Sequence, residues 1–117
     1  KPAAKQRYSL SIGRSKFSES MTVDVQRNKL GCEIYLRGPK AKQAFAQLKD
    51  QQEEIESEIG TQLEWRELPE GQDSRIVLCR DGDVHNRDEW KNYFQWYHDY
   101  AEKFYTAFSQ RVKQLRL

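Results

Sequence analysis

The chain is 117 residues long, 37% hydrophobic and 32% charged, with a net charge of +2 and a mean hydropathy of −1.00. That length fits one domain able to bury roughly two thirds of its unfolded surface. No apolar run approaches the ~20 residues that cross a bilayer, no basic–apolar–small leader pattern opens the chain, and the ordered apolar spacing set out below argues against disorder.

The sequence starts at Lys1 without a methionine, which suggests a piece of a longer protein. Residues 1–6 are expected to be a linker remnant and 7–117 a single domain. Tyr8, Leu10 and Ile12 alternate with polar residues, as do Met21, Val23 and Val25, and then Cys32, Ile34 and Leu36. Three period-two runs predict three half-buried strands. The breaks between them, Ser15 to Glu19 and Arg27 to Gly31, are short, so the strands should form an antiparallel meander with Asn28 in a turn.

Gly38-Pro39 stops the third strand and opens a helix, with Pro39 in its first turn. Ala41, Ala44, Phe45, Leu48, Ile55 and Ile59 lie on one stripe, and Gly60 supplies a left-handed stop. The prediction is one amphipathic helix of about five turns. Leu63 to Glu67 reads as a fourth strand and Pro69-Glu70-Gly71 as a turn. Arg75 to Arg80 is a fifth strand, apolar on both sides and therefore expected inside the sheet. Asn86 and Glu89 have capping-box spacing before a last helix ending near Gln114. Nine of the fourteen aromatic residues fall between Trp90 and Phe108. Trp90, Phe94, Tyr97, Ala101, Phe104, Phe108, Val112 and Leu115 form its seam.

The order is βββα-ββα. The fold class is α+β: a two-layer domain with a mostly antiparallel five-stranded sheet and two helices on one face. Trp65 is expected to meet the Trp90, Phe94, Phe104 and Phe108 row in the core. Periodicity leaves the strand order open.

Charge is segregated. Residues 1–49 carry eleven Lys/Arg against three acids, residues 50–73 nine acids against Arg66 alone, and residues 74–117 eight bases against six acids. This pattern marks either a basic binding surface or halves that attract one another when folded. Cys32 and Cys79 sit apart, outside any CxxC or Cys/His cluster, and are expected to be buried reduced thiols. His85 and His98 belong to no recognisable motif, and neither a zinc site nor another cofactor is expected. Asp24 and Glu33 lie on adjacent strands, but Tyr35 stands where a nuclease centre needs lysine, and Glu64 is followed by Arg66. No catalytic residues are therefore assigned.

Three surfaces have binding potential. The outer sheet face is expected to show Arg7, Arg37, Arg66, Arg75 and Tyr35 among Asp24, Glu33 and Glu64, a pattern suited either to phosphate gripping or to cross-strand ion pairs. The turns gather Arg14, Lys16, Arg27 and Lys29 with Arg37, Lys40 and Lys42, the candidate nucleic-acid-binding set. Trp96 and Tyr100, one turn apart on the last helix, either finish the core or form a patch for a partner or a twin subunit.

Several strings in order carry a resemblance: Ile12-Gly13-Arg14-Ser15 before Phe17, Glu33-Ile34-Tyr35-Leu36, Glu53 to Glu58 with Gly60, Leu63-Glu64-Trp65, Ser74-Arg75-Ile76 and Arg87-Asp88-Glu89-Trp90. Together, over roughly residues 8–115, they resemble a prokaryotic domain family of unknown function. Its members usually follow a domain similar to restriction-endonuclease-like nucleases. Lys91 stands where such relatives carry proline. The family has no assigned catalytic residues. The resemblance implies a cytoplasmic bacterial or archaeal protein linked to nucleic-acid processing or defence. The expected function is a non-catalytic accessory domain that helps a nuclease-like partner engage nucleic acid. The alternative is a protein-interaction or homodimerisation module built on the aromatic last helix.

Overall fold

The computed structural model describes residues 5–67 and 73–117, with side chains from Arg7 on. Strands β1 (Lys5–Ser11), β2 (Phe17–Asp24) and β3 (Lys29–Leu36) form the expected meander, and β4 (Glu64–Glu67) and β5 (Ser74–Asp81) complete one five-stranded sheet. Its order is β1-β2-β3-β5-β4, with every neighbouring pair antiparallel. β1 begins at Lys5, inside the stretch expected to be linker. The β2–β3 turn places Asn28 at φ 54°, the left-handed conformation asparagine tolerates. The turn expected at Pro69-Glu70-Gly71 lies outside the described residues. β5 sits between β3 and β4, which explains why Ile76 and Val77, on opposite sides of it, are both buried.

Directly opposed residues share a face. Phe17, Leu36 and Ser74 therefore line up on one side, as do Glu19, Ile34, Ile76 and Trp65, and Met21, Cys32 and Leu78. On this side lie α1 (Ala41–Lys49), α2 (Gln52–Ile59) and α3 (Trp90–Lys113), the last preceded by a 3₁₀ turn at Arg87–Glu89. The α+β architecture matches the expectation. Phe104, Phe108, Leu48 and Ile55 are buried against Ile34, Leu36 and Ile76 at its centre.

Three details differ from the sequence pattern. The helix expected over 41–59 is two helices, because Gln51 N–H bonds back to Leu48 O at 2.9 Å and tightens the turn. Only polar residues lie between Leu48 and Ile55, so no buried side chain holds that turn in α-helical phase. α2 then ends on Gly60 at φ 92°, as its glycine requires. Second, Asn86 precedes the 3₁₀ turn without a side-chain capping bond. Third, Trp90 and Phe94 are exposed rather than in the core. Five of the six buried α3 residues lie between Phe104 and Val112, so the helix seats its C-terminal half and carries its first turns past the core. Tyr97 still reaches the sheet: its hydroxyl donates to Thr22 O, and burial pushes its pKa up to about 12.

The acidic segment meets the last helix. Arg111 donates to Glu58 at 2.9 and 2.6 Å and to Gln51 at 2.9 Å, clamping α2 to α3. Glu56 is a second tie. It accepts from the Leu63 amide at 2.8 Å, the Trp65 indole at 3.0 Å and the Gln52 amide at 3.3 Å. It thereby fixes Trp65, whose ring meets Phe45 edge-on with centroids 6.0 Å apart. Burial alone pushes the Glu56 pKa up, but these N–H groups favour the carboxylate and the net shift is down. Its contribution is therefore present above the ordinary carboxylate range and fades on acidification. Glu56→Ala should cost about 1–2 kcal/mol by orphaning the Leu63 and Trp65 donors. Urea denaturation at neutral pH measures it, and a loss that does not shrink towards pH 3 would count against this account.

Candidate functional site

A group of cations gathers where the β1–β2 turn meets the end of β3 and the start of α1. Two backbone bonds shape that turn: Phe17 N–H to Arg14 O at 3.2 Å and Arg37 N–H to Lys16 O at 3.0 Å. The second carries the β2–β3 ladder one step past Phe17 and Leu36. Gly38 then turns the chain into α1 at φ 89°. A Cβ there would sit 2.7 Å from Lys16 Cδ, so glycine is needed both for the backbone angle and for the lysine stem lying across it.

The result is a cleft of about 350 Å³ whose charged lining is Arg14, Lys16, Arg37 and Lys40, with no acidic residue. Lys16, Arg37 and Lys40 form no ion pair or side-chain hydrogen bond among the described residues. α1 opens beside them with Lys40 at its N-cap, no side-chain cap and no acid in its first turn, while Lys42 sits in that turn. Its positive end therefore adds to the field of the cations. Arg14 is used differently. Its guanidinium donates to Val112 O at 2.8 Å, Lys113 O at 3.3 Å and Leu115 O at 2.6 Å, closing the C-terminus of α3.

The candidate basic set is thus divided. Arg27 and Lys29 lie at the β2–β3 turn, the far end of β3, about 25 Å away at ~3.3 Å per residue over eight residues. Lys29 is paired with Asp81. Of the arginines expected on the outer sheet face, Arg7, Arg66 and Arg75 are paired as well, and only Arg37 is left to the cleft. Glu33, buried among the strands, faces Arg7 at 3.3 Å and Arg75 at 3.7 Å, and Arg66 meets Glu64 at 2.9 Å. Tyr35 carries both the Arg7 and Arg75 guanidinium groups at 4.9 and 4.7 Å from its ring centre and donates to Asp73 at 2.7 Å. That face carries a cross-strand Arg7–Glu33–Arg75 cluster and an Arg66–Glu64 pair within β4, and its tyrosine ring is already in contact with cations.

Trp96 and Tyr100 are half-buried and packed against the core, with ring centres 5.4 Å apart. The exposed aromatics of α3 are Trp90, Phe94 and Tyr105 instead. Cys32 is buried, but Cys79 is exposed, contrary to expectation. Its phase in β5 turns it away from the helices, onto the uncovered side. Among the described residues no three His, Cys, Asp or Glu side chains converge as metal ligands, and no helix is long and apolar enough to cross a membrane.

The unexpected residue is Glu19. It sits inside the break expected before the second strand, yet it is part of β2 and points to the helix side opposite Ile34. Both carboxyl oxygens are buried without a hydrogen-bond partner. Burial pushes its pKa from 4.5 up to about 7.

These features define a two-layer α+β domain with an uncovered ion-paired sheet face and an acid-free basic cleft at one end of its strands. The chain belongs to the family described as Domain of unknown function (DUF4268), whose model matches residues 1–112. No curated protein and no solved structure matches it significantly.

Proposed function

We propose that the domain is a non-catalytic accessory module that engages the phosphate backbone of nucleic acid through the cleft of Lys16, Arg37 and Lys40. The observation that carries this is the convergence of three cations without ion pairs, together with the uncapped N-terminus of α1, on a cleft free of acids. Clustered unpaired cations attract polyanions and release counterions on binding. The resemblance of the sequence to domains that follow nuclease-like domains supports a cytoplasmic prokaryotic setting, with the module holding substrate for such a neighbour. It does so without base readout, since the outer-face tyrosine is already occupied by Arg7 and Arg75.

Fluorescence anisotropy with a labelled duplex and a labelled single strand tests this. With three phosphate contacts, affinity should fall roughly 40-fold between ~50 and ~200 mM salt. Lys16→Glu/Lys40→Glu should weaken binding by at least ~10-fold at low salt, uniformly across sequences. Arg27→Glu, at the far end of β3, should leave it nearly unchanged. No binding at low salt, or equal losses from both variants, would sink the proposal.

A further inference from the structure

The two edges of the sheet are built differently. β4 is four residues long and carries Glu64, Arg66 and Glu67, the short charged form that resists pairing with another strand. β1 has seven residues, lacks proline, and pairs with β2 without a bulge from Lys5↔Asp24 to Ser11↔Ser18. Its outer backbone edge is therefore straight, and among the described residues no strand pairs with it. Its helix-side residues are also uncovered: Tyr8 is 61% and Leu10 38% exposed.

α3 presents a matching strip to the same side. Phe94 is 66% and Trp90 38% exposed, and Tyr105, three turns on from Phe94, is 48% exposed. Between this strip and the sheet runs an apolar groove of about 480 Å³, lined by Tyr8, Met21, Val23, Trp90, Tyr93 and Phe94 among others. Trp96 and Tyr100 lie on the opposite flank of the helix, which is covered by the core.

We infer that β1 pairs antiparallel with β1 of a second copy of this chain, extending the sheet to ten strands and covering both grooves. The second copy is favoured by the self-complementarity of the strand. A two-fold axis at Ser9 sets Tyr8 opposite Leu10 of the other copy and Arg7 opposite Ser11, so no like charges face each other. An axis normal to the sheet keeps all helices in one layer and brings the two Phe94–Tyr105 strips together. The area suffices as well. At ~200 Å² per ring, the exposed fractions of Tyr8, Trp90, Phe94 and Tyr105 leave roughly 400 Å² open on each copy. Two copies, with the strands and Leu10 added, approach the ~1,000 Å² of a specific interface.

Sedimentation equilibrium and cross-linking test this together. The wild-type chain should approach twice 13.9 kDa at high-micromolar concentration. Tyr8→Lys/Phe94→Lys should remain at the monomer mass with an unchanged circular dichroism spectrum, because neither side chain is in the core. Ser9→Cys on a Cys79→Ser background should oxidise to a covalent dimer, since opposed Cβ atoms at a strand two-fold lie about 4.5–5.5 Å apart, a small strand adjustment from the ~3.5–4.5 Å that a disulfide spans. A wild-type chain that stays monomeric throughout overturns the inference and leaves the edge to a foreign strand. A dimer that survives the double variant and fails to cross-link overturns it too, by placing the interface elsewhere.

Discussion

Replacing Glu19 with leucine should stabilise the domain, and the gain should grow by about 3 kcal/mol between pH 4.5 and pH 8. The carboxyl is buried at 1% exposure with both oxygens unpartnered. Burial disfavours the charged form, so its pKa rises from 4.5 to about 7 in the folded protein. Between those values the folded chain holds a proton that the unfolded chain has released. The unfolded state therefore binds fewer protons, and stability falls as pH rises through the window. A shift of that size is worth about 3 kcal/mol above pH 7, at ~1.4 kcal/mol per pKa unit. Leucine has no charge to desolvate, so its stability should be flat over this range as far as residue 19 is concerned. It also removes a buried polar group without partners, so some gain should persist at pH 4.5. Thermal melts at pH 8 should rise by roughly 10 °C. Parallel stability–pH curves for the two proteins would refute the claim, because they would mean that Glu19 ionises in the fold at its ordinary value.

The same residue shows where sequence pattern stops. The alternation of β1 and β3 is plain, because apolar residues hold one phase and polar residues the other. β2 keeps that phase from Phe17, through Met21, to Val23, but glutamate occupies the position between Phe17 and Met21. A charged residue at an apolar phase looks like a turn, and the strand start was hidden for that reason. The stripe from Ala41 to Ile59 was legible as an amphipathic face, whereas its break was not. Ile55 follows Leu48 by seven positions, so both segments keep the same face on either side of the tightened turn. Trp90 and Phe94 continue the α3 seam at perfect spacing and are exposed nonetheless, because spacing says which side of a helix faces inward but not how far the sheet extends beneath it.

The basic residues show a related limit. Their neighbours in sequence suggested one patch, but a three-stranded meander sends its two turns to opposite ends of the sheet. Lys16 and Arg37 meet because the β1–β2 turn and the end of β3 lie side by side, while Arg27 and Lys29 are carried a full strand length away. The partner of Arg14 could not be seen from sequence at all: the carbonyl oxygens it binds lie 98 to 101 residues further along the chain.

That contact gives the second large effect. Arg14→Ala should destabilise the domain by about 3 kcal/mol, because three hydrogen bonds from a charged donor to carbonyls at and just past the end of α3 are lost together. The helix end would be left with unsatisfied acceptors and without a cation against its negative pole. Arg14→Lys should restore less than half of the loss. A lysine carries its charge at one point, whereas here Nε binds Val112 O at 2.8 Å while Nη2 reaches Leu115 O at 2.6 Å, a fork only guanidinium supplies. Amide exchange in the last turn of α3 should quicken in both variants more than in β3, which marks the loss as local to the helix end before it becomes global. Nucleic-acid affinity of the folded fraction should fall less in Arg14→Lys than in Lys16→Glu/Lys40→Glu, since the donors of Arg14 already serve the protein. If Arg14→Lys is as stable as the parent, the clamp is a matter of charge alone and the hydrogen-bond geometry carries no weight. If it is as stable as the parent and binds nucleic acid as poorly as the charge-reversal variant, Arg14 belongs to the binding cleft and not to the helix end.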